Sequence, residues 1–405
     1  MSGPATAATA DDADVARWRG DTPGTQRRHH LNNAGAALSP RVVAETVRAH
    51  LDLELMIGGY EAAAAARCAM DECNRTLAAL VRAAPRNITI TSSATAAYAQ
   101  ALSAFDFGPG DAIVTTSADY LSNRIMFEAL AARRGVRIVE ADDLPEGGVD
   151  PGSVAERIRT ERPRLVAVTA VPTFGGLVQP VEAVGAACAD AGVPYLIDGC
   201  QAVGQMEIDV AALHCDFLAA TARKFLRGPR GIGFLFVSDA ALARGMHPLL
   251  VDMRGASWSG AGGYATYDGA RRFEQWEQPC ALALGMGAAA RYALDAGVAR
   301  TSARSHALAA EVRSRLVAIP GVRSLDRGSR LSAIAAFECA GRDAATLVPA
   351  LREHGVNVSS QSRDENAVAL ERLAAGSLLR VSPHYYNDAR DLDALERALR
   401  DLLRP

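Results

Sequence analysis

The 405-residue sequence contains almost no lysine: Lys224 is the only one, and every other basic residue among its 43 lysines and arginines is arginine. A guanidinium stays protonated and is a poor nucleophile, whereas a lysine amine can lose its proton, attack a carbonyl and form a Schiff base. A chain that keeps a single lysine is therefore expected to use that amine in its chemistry. The alternative is a surface lysine that survived by chance in an arginine-biased gene. The residues around Lys224 decide between the two.

Other features are missing as well, and each absence excludes a class of protein. No run reaches the 18 or more apolar residues of a membrane span, and residues 1–28 lack the apolar core of a secretory signal. The formal net charge of −3 gives no general attraction to nucleic acid or to a membrane surface. We therefore expect a cytoplasmic protein that binds neither, with a flexible or loosely docked segment at residues 1–28.

The cysteines also lack the spacing of a metal site. None of the seven forms a C-x-x-C pair; they are Cys68, Cys73, Cys188, Cys200, Cys215, Cys280 and Cys339. Buried free thiols in a reducing compartment are the expected state of such cysteines. The sequence therefore predicts no metal.

Short apolar runs alternate with helical patterns along the chain, without internal repeats. Strands are predicted at residues 88–91, 112–115, 136–139, 165–169, 195–198, 217–220 and 234–237, and helices at residues 40–55, 67–81, 94–103, 124–133, 181–191 and 280–316. This order predicts an α/β fold with a mostly parallel seven-stranded sheet covered on both faces. We expect a large domain at residues 29–295 and a smaller α+β domain at residues 296–405.

The residues before Lys224 predict a phosphate site beside the amine. The apolar run 217–220 reads as a buried strand, and Thr221, Arg223 and Lys224 follow as it ends. Open α/β sheets bind ligands beyond the carboxyl ends of their strands. A hydroxyl and a guanidinium next to the amine suit a phosphate anion. A lysine beside a phosphate site predicts pyridoxal 5'-phosphate as the cofactor.

A second strand end supplies a carboxylate that this cofactor needs. The run 195–198 ends in Asp198, and Gln201 follows three residues later, where its amide can reach the ring hydroxyl. An aspartate partner keeps the ring nitrogen of pyridoxal phosphate protonated, so that the ring can accept electrons. The 26 residues from Asp198 to Lys224 leave room for one crossover helix between neighbouring parallel strands. Taken alone, Asp198 would be read as a helix N-cap.

These motifs resemble the class V aminotransferase family, fold type I of the pyridoxal-phosphate enzymes, over roughly residues 29–400. The resemblance rests on Leu31-Asn-Asn-Ala-Gly35, Val171-Pro-Thr-Phe-Gly-Gly176, Asp198-Gly-Cys-Gln201, Thr221-Ala-Arg-Lys224, Arg272-Phe-Glu274 and Leu379-Arg-Val-Ser-Pro-His-Tyr-Tyr-Asn387. The sequence is most similar to the subgroup of C–S lyases, isopenicillin epimerase-like proteins and related antibiotic-pathway enzymes, with cysteine desulfurases more distant. The resemblance implies a homodimer with its active site near the subunit interface.

The resemblance also implies cofactor contacts at two further places. The turn 91–95 matches the family's phosphate-binding turn, in which the backbone of the positions matching Ala94 and Thr95 holds the anion. Tyr120 matches the position whose aromatic ring lies over the pyridine ring. We therefore expect Lys224, Asp198 and Tyr120 to be the catalytic residues.

Four more positions are implied as contacts of the ring oxygen or the substrate. Thr173 matches an asparagine of many relatives that contacts the ring oxygen. Arg380 matches the arginine that binds the substrate α-carboxylate, and a bidentate pair is the expected geometry. Asn33 and Tyr60 lie where relatives line the substrate pocket.

Two departures from the family pattern bear on the reaction. The family's Arg-Phe-Glu motif is often followed by Gly-Thr, whose hydroxyl reaches the partner's phosphate, but here residues 275–277 are Gln-Trp-Glu, and Glu277 cannot donate to a phosphate. Desulfurases carry a sulfur-accepting cysteine before the carboxylate arginine, whereas residues 358–366 here contain none. The resemblance therefore favours C–S β-elimination from an S-substituted cysteine. Transamination, epimerisation and decarboxylation remain alternatives, as does a non-enzymatic regulatory module that binds the cofactor.

Overall fold

A seven-stranded sheet forms the centre of the large part of the protein, in a computed structural model that describes residues 10–260, 262–362 and 370–404. Its strands are β2 (Ile88–Thr91), β3 (Ala112–Thr115), β4 (Arg137–Glu140), β5 (Leu165–Thr169), β6 (Tyr195–Asp198), β7 (Phe217–Thr221) and β8 (Gly233–Val237). They lie in the order β2-β8-β7-β6-β5-β3-β4, and only the β8 pairings are antiparallel. The predicted α/β fold with a mostly parallel sheet is confirmed.

Helices cover both faces of this sheet, because successive strand residues point to opposite faces. The helices of this part are α2 (Arg41–Ile57), α3 (Gly59–Ala65), α4 (Arg67–Leu80), α5 (Ala94–Ser103), α6 (Leu121–Arg134), α7 (Pro151–Glu161), α8 (Val181–Ala191), α9 (Asp239–Ala243) and α10 (Cys280–Ala296). In β6, Leu196 packs in the apolar layer beneath α5 and α6, and Ile197 packs in the layer that includes α4, α8 and α10. Within the described residues, no helix is long and apolar enough to cross a membrane.

The connection between β6 and β7 differs from the prediction. The two strands are parallel neighbours, as the spacing of Asp198 and Lys224 required, but the residues between them form turns and not a crossover helix. Val203, Met206, Ile208 and Leu213 of this connection are buried in the core. An irregular segment therefore covers the sheet where we expected a helix.

The C-terminal part has its own sheet and core. The helices α11 (Val298–Val317), α12 (Ala344–Glu353) and α13 (Ala389–Leu402) pack on strands β11 (Val322–Ser324), β12 (Ala335–Cys339), β14 (Ser359–Gln361) and β15 (Leu378–Val381). These strands form an antiparallel sheet in the order β11-β12-β15-β14. The predicted smaller α+β part is confirmed, while its exact boundary near residue 295 stays a prediction. Helices α10 and α11 are separated by Gly297, whose φ of 83° ends the first of them.

Short strands tie the beginning of the chain to this C-terminal part. Strand β1 (His29–His30) pairs in parallel with β13 (Val356–Asn357). Asn32 forms an isolated bridge with Ser382. A separate hairpin of β9 (Ala256–Trp258) and β10 (Tyr264–Thr266) extends from the large part.

Residues 12–20 of the N-terminal segment, for which the sequence predicts a flexible or loosely docked state, form a helix packed against the C-terminal part. Residues 1–9 lie outside the described residues, but Asp12–Gly20 form helix α1, capped by the Asp11 carboxylate. Trp18 is 1% exposed and packs edge-on against Tyr385, with 4.9 Å between ring centroids. Its one large aromatic side chain holds an otherwise polar helix against the core.

We expect Trp18→Ala to lower the free energy of unfolding by about 3–5 kcal/mol, because it leaves a cavity between α1 and Tyr385. Val317→Ala is the control, since Val317 is 47% exposed on α11 and its loss should change the free energy by less than about 0.5 kcal/mol. Urea unfolding followed by circular dichroism measures both. Equal effects of the two substitutions would show that α1 does not contribute to the core.

Candidate active site

The carboxyl ends of β6 and β7 and the amino end of α5 enclose one cavity. Its lining residues are Ser93, Ala94, Thr95, Tyr98, Tyr120, Asn123, Asp198, Cys200, Thr221, Arg223, Lys224, Gly231 and Ile232. Seven of the residues that the sequence predicted to bind the cofactor are therefore gathered in one place. In the described residues, no group of His, Cys, Asp and Glu side chains is arranged to hold a metal ion.

The Lys224 amine is buried at the end of β7. The residue is 7% exposed, and burial lowers the pKa of its amine below the ordinary value, while Cys200 and Asp198 act in the opposite direction. Burial disfavours the charged ammonium because it removes water from around the charge. Lys224 is therefore not a surface residue retained by chance, and its buried environment favours the neutral, nucleophilic amine.

Both oxygens of the Asp198 carboxylate are held by donors. The backbone N–H of Cys200 donates to Oδ1 at 2.9 Å, and the side-chain amide of Asn123 donates to Oδ2 at 3.1 Å. Asp198 ends β6 and is in register with Thr169, the last residue of β5. The sequence did not predict Asn123, because it placed the start of this helix at residue 124, whereas α6 begins at Leu121.

Tyr120 lies beside the amine, as predicted. The Lys224 Nζ is 5.8 Å from the centroid of the Tyr120 ring. The backbone N–H of Tyr120 donates to Asp119 Oδ1 at 2.7 Å and to Thr169 Oγ1 at 3.1 Å. These bonds fix the residue that precedes α6, so its ring is presented to the cavity from a defined position.

The amino end of α5 provides backbone donors for an anion. The Ser93 hydroxyl accepts from the N–H of Ala96 at 3.0 Å, and the N–H groups of Ala94 and Thr95 belong to the first turn, which has no intrahelical acceptors. A Cβ atom on Gly233 would lie 2.8 Å from the Ala94 nitrogen. Glycine is required at Gly233 because β8 passes so close to this helix terminus.

Arg223 also lines the cavity, but its guanidinium already has a partner. Its Nη1 donates to the Gly35 carbonyl oxygen, which ties the segment before α2 to the end of β7. Thr221 is buried at the end of β7, where its side chain lines the same cavity. Hydroxyl and guanidinium thus lie together beside the amino end of α5, a donor set suited to phosphate.

Arg380, Thr173 and Gln201 form a connected group next to the cavity. Arg380 in β15 donates from Nη1 to the Thr173 carbonyl oxygen at 2.7 Å and to its Oγ1 at 2.9 Å. Gln201 donates from Nε2 to the same Oγ1 at 3.4 Å and to the Ala34 carbonyl oxygen at 3.1 Å. The Thr173 hydroxyl therefore accepts hydrogen bonds from both Gln201, which is predicted to reach the ring hydroxyl, and Arg380, which is predicted to bind the substrate α-carboxylate.

Two residues predicted to contact the substrate, Asn33 and Tyr60, do not line this cavity. Asn33 is fully buried; its amide donates to the Ser382 carbonyl oxygen at 2.7 Å and its oxygen accepts from the Tyr386 hydroxyl at 2.5 Å. Its neighbour Asn32 is the residue whose Oδ1 accepts from Arg380 Nη2, at 3.4 Å. Tyr60 lies on α3 and is 74% exposed. Segment 358–366 is described only up to residue 362.

Comparison with known proteins gives consistent matches over nearly the whole chain. The family model for aminotransferase class-V matches residues 29–395. A probable cysteine desulfurase of Methanothermobacter thermautotrophicus is 28% identical over 351 residues, 85% of this chain and 86% of that protein. One from Pseudomonas aeruginosa is 31% identical over 311 residues, 74% of each chain. One from Mycolicibacterium paratuberculosis is 29% identical over 96% of this chain, which spans only 58% of that longer protein.

Solved structures share the fold. The cysteine desulfurase CsdA from Escherichia coli superposes with a TM-score of 0.87 at 25% identity, covering 96% of this chain and 98% of that chain. The cystine C-S lyase C-DES, in complex with its reaction product cysteine persulfide, gives a TM-score of 0.83 at 22% identity over 94% of this chain and 99% of that chain. Placement in the lyase subgroup stays a prediction, since both kinds of enzyme share this architecture.

We expect the stability of the cofactor-free protein to carry the signature of a buried amine. Between the lowered native pKa and the ordinary value of 10.5, the unfolded state binds a proton that the native state does not, so the native state gains stability as the pH rises. Lys224→Met removes this contribution. Urea unfolding of both proteins across this pH range measures the difference, which should shift in favour of the wild type as the pH rises. If the free energies of unfolding of the two proteins changed with pH in parallel, the amine would not be desolvated in the native state.

Proposed function

Because the chain belongs to the aminotransferase class-V family and is a pyridoxal-phosphate enzyme, we propose that it cleaves the carbon–sulfur bond of an S-substituted cysteine by β-elimination. The observation that carries this proposal is the buried Lys224 amine in one cavity with Asp198 and Tyr120. The absence of a cysteine from segment 358–366 supports elimination over sulfur transfer.

The donor set of the cavity fits pyridoxal phosphate at each of its functional groups. Thr221 and the first N–H groups of α5 suit the phosphate, and Asp198 suits a protonated ring nitrogen. The buried Gln201 Oε1 has no hydrogen-bond partner among the described residues, so this side chain has capacity left for a ring substituent. When bound, the cofactor forms a covalent bond with an amine through its aldehyde and accepts, through its ring, the electron pair released at the α-carbon.

The protein side chains then divide the remaining tasks. The Lys224 amine, whose pKa is lowered by burial, is suited to take the α-proton of the substrate. Arg380, held by Thr173, is suited to bind the α-carboxylate and so to fix which bond at the α-carbon is broken. The ring of Tyr120 limits the cavity beside the amine.

Elimination also requires a leaving group, and a thiolate leaves readily because thiols are comparatively acidic. In the elimination the Cβ–S bond breaks as the α-proton is removed, and sulfur departs with its own substituent. No enzyme thiol and no amino acceptor take part. The products from the amino acid are pyruvate and ammonia, once water has hydrolysed the released enamine.

Sulfur transfer is the second candidate, since the curated relatives are named cysteine desulfurases. Cys200 lines the same cavity as Lys224 and is the thiol to which such a transfer would have to go there. Burial, followed by the charge of Asp198, raises the pKa of the Cys200 thiol well above its ordinary value. A neutral thiol is a poor nucleophile, and this favours elimination.

We further propose a homodimer, supported by exposed apolar side chains in two stretches of the large part. They are Leu51, Leu55, Met56, Ile57 and Tyr60 from α2 and α3, and Leu249, Leu250, Met253, Trp258 and Trp276 around the β9–β10 hairpin. Large exposed apolar patches usually mark interaction surfaces. In such a dimer Tyr60 would serve the partner's cavity, and Glu277, exposed beside Trp276, would lie at the interface without donating to a phosphate.

Borohydride treatment of the protein loaded with pyridoxal phosphate should fix the cofactor at a single place. Because Lys224 is the only lysine, the added mass should map to the one peptide that carries it, and turnover should be lost in Lys224→Ala. Peptide mass spectrometry reads the position directly. Label confined to the N-terminal amine, or no label, would contradict the assignment of Lys224.

An S-substituted cysteine alone should yield a free thiol, ammonia and pyruvate in equal amounts. A variant with all seven cysteines replaced by serine or alanine should keep this activity, with Cys200→Ala as the single-site control. Product quantification by mass spectrometry measures the ratio. A requirement for an added keto acid would favour transamination, and alanine formed with persulfide on Cys200 would favour sulfur transfer.

A further inference from the structure

A buried polar cluster adjoins the proposed cofactor contacts and includes Asp198. Its members are Thr115 at the end of β3, Asp119 and Asn123 around the start of α6, Thr169 at the end of β5, and Asp198 itself. All five are less than one-tenth exposed. Of these, only Asp198 has a role in the proposed reaction.

Asp119 is the centre of this cluster. Its Oδ2 accepts from the Thr115 hydroxyl at 2.7 Å, and its Oδ1 accepts from the Thr169 hydroxyl, from the Tyr120 N–H at 2.7 Å and from the Asn123 amide at 3.0 Å. Burial raises the pKa of Asp119, and the hydrogen bonds from Thr169, Thr115 and Asn123 oppose that shift. Four donors thus converge on one carboxyl group, and each of these hydrogen bonds acts against the effect of burial.

Asn123 joins this carboxylate to Asp198. Its Nδ2 lies 3.0 Å from Asp119 Oδ1 and 3.1 Å from Asp198 Oδ2. An ionised carboxylate only accepts hydrogen bonds, so the NH2 group, and not the amide oxygen, must face both aspartates. The two hydrogens of one amide thus bridge two buried carboxylates, and the orientation of the Asn123 side chain is determined.

We propose that Asp119 and Asn123 form a positioning pair that sets the orientation of Asp198 and the placement of Tyr120. Asn123 fixes the second oxygen of Asp198, whose first oxygen is held by the Cys200 N–H. Asp119 fixes the backbone of Tyr120 through its N–H. One buried carboxylate therefore positions both the partner of the ring nitrogen and the ring beside the amine.

This inference rests on the proposed cofactor site. The donors from Asn123 and Cys200 hold the Asp198 carboxylate in one orientation, and without the Asn123 amide that carboxylate is free to turn away from the ring nitrogen. Asp119 and Asn123 are argued to act through Asp198 and Tyr120, so they are positioning residues.

The test is the protonation state of pyridoxal phosphate labelled with nitrogen-15 in its ring and bound to Asn123→Ala. We expect the ring resonance to move from the protonated position in the wild type toward the unprotonated position, as it should in Asp198→Ala. We also expect the affinity for the cofactor to fall by about tenfold, because one hydrogen bond to a charged group is lost. A general loss of stability would not move this resonance.

Asn87→Ala is the matched control, since Asn87 is also buried and donates to the Val237 carbonyl oxygen at 2.8 Å and to Asp239, outside the cavity. Its bound cofactor should keep the wild-type resonance. If Asn123→Ala does not fold, Thr169→Val removes a hydroxyl from the same cluster and should shift the resonance in the same direction. An unchanged resonance in the folded cluster variant, or an equal shift in Asn87→Ala, would overturn the positioning role. A wild-type protein that binds no pyridoxal phosphate would instead contradict the proposed function.

Discussion

The geometry of the cavity depends on one buried cation, the guanidinium of Arg227. It is 1% exposed and donates to the Leu38 carbonyl oxygen at 2.9 Å, the Tyr385 hydroxyl at 2.7 Å and the Thr22 hydroxyl at 2.5 Å. The faces of three tyrosines surround it, with ring centroids at 5.5, 5.0 and 4.5 Å for Tyr292, Tyr385 and Tyr386. Neutral acceptors and aromatic rings thus stabilise a charge that is normally paired with a carboxylate when buried. The N-terminal segment, the C-terminal part and the turn after Lys224 meet at this group.

That meeting point fixes the segment that carries the reactive amine. The Arg227 N–H donates to the Lys224 carbonyl oxygen at 2.9 Å, and Arg227 has a φ of 63°, a left-handed conformation that costs a non-glycine residue about 1–2 kcal/mol. On the other side, the Nε2 of His384 lies 2.8 Å from the Phe225 carbonyl oxygen, and its Nδ1 lies 3.2 Å from the Ser305 hydroxyl. Burial lowers the pKa of His384 well below its ordinary value, so the neutral ring must donate to the Phe225 carbonyl. Two residues of the turn are thus tied to the C-terminal part, and Lys224 has little freedom to move its backbone.

The sequence predicted the parts of this site that are defined by strand ends, and missed those defined by tertiary contact. Asp198 and Lys224 were identifiable because each follows a short apolar run, and a parallel sheet brings such ends together. Asn123 was missed because the predicted start of its helix was three residues late, which left it in a loop and not in the first turn facing Asp198. The docking of α1 was missed because the helix is polar apart from a few residues, and its stability comes from Trp18 against Tyr385 rather than from local periodicity. No spacing rule shows that Arg227 and residues 22 and 385 are neighbours.

The arrangement of charge explains why a single lysine suffices here. Burial lowers the pKa of the Lys224 amine, Cys200 and Asp198 act in the opposite direction, and the guanidiniums of Arg223 and Arg380 lower it further. Arginine cannot take the central position because it does not give up its proton, and it suits the two flanking positions for the same reason. A ligand with a positive charge near Asp198 and negative charges near Arg223 and Arg380 would complement these side chains. The amine of Lys224 would then remain uncharged. An amino acid joined to pyridoxal phosphate has this distribution, with a protonated ring nitrogen at one end and phosphate and carboxylate groups at the other. The site thus combines two permanent positive charges, on Arg223 and Arg380, with one titratable amine, on Lys224.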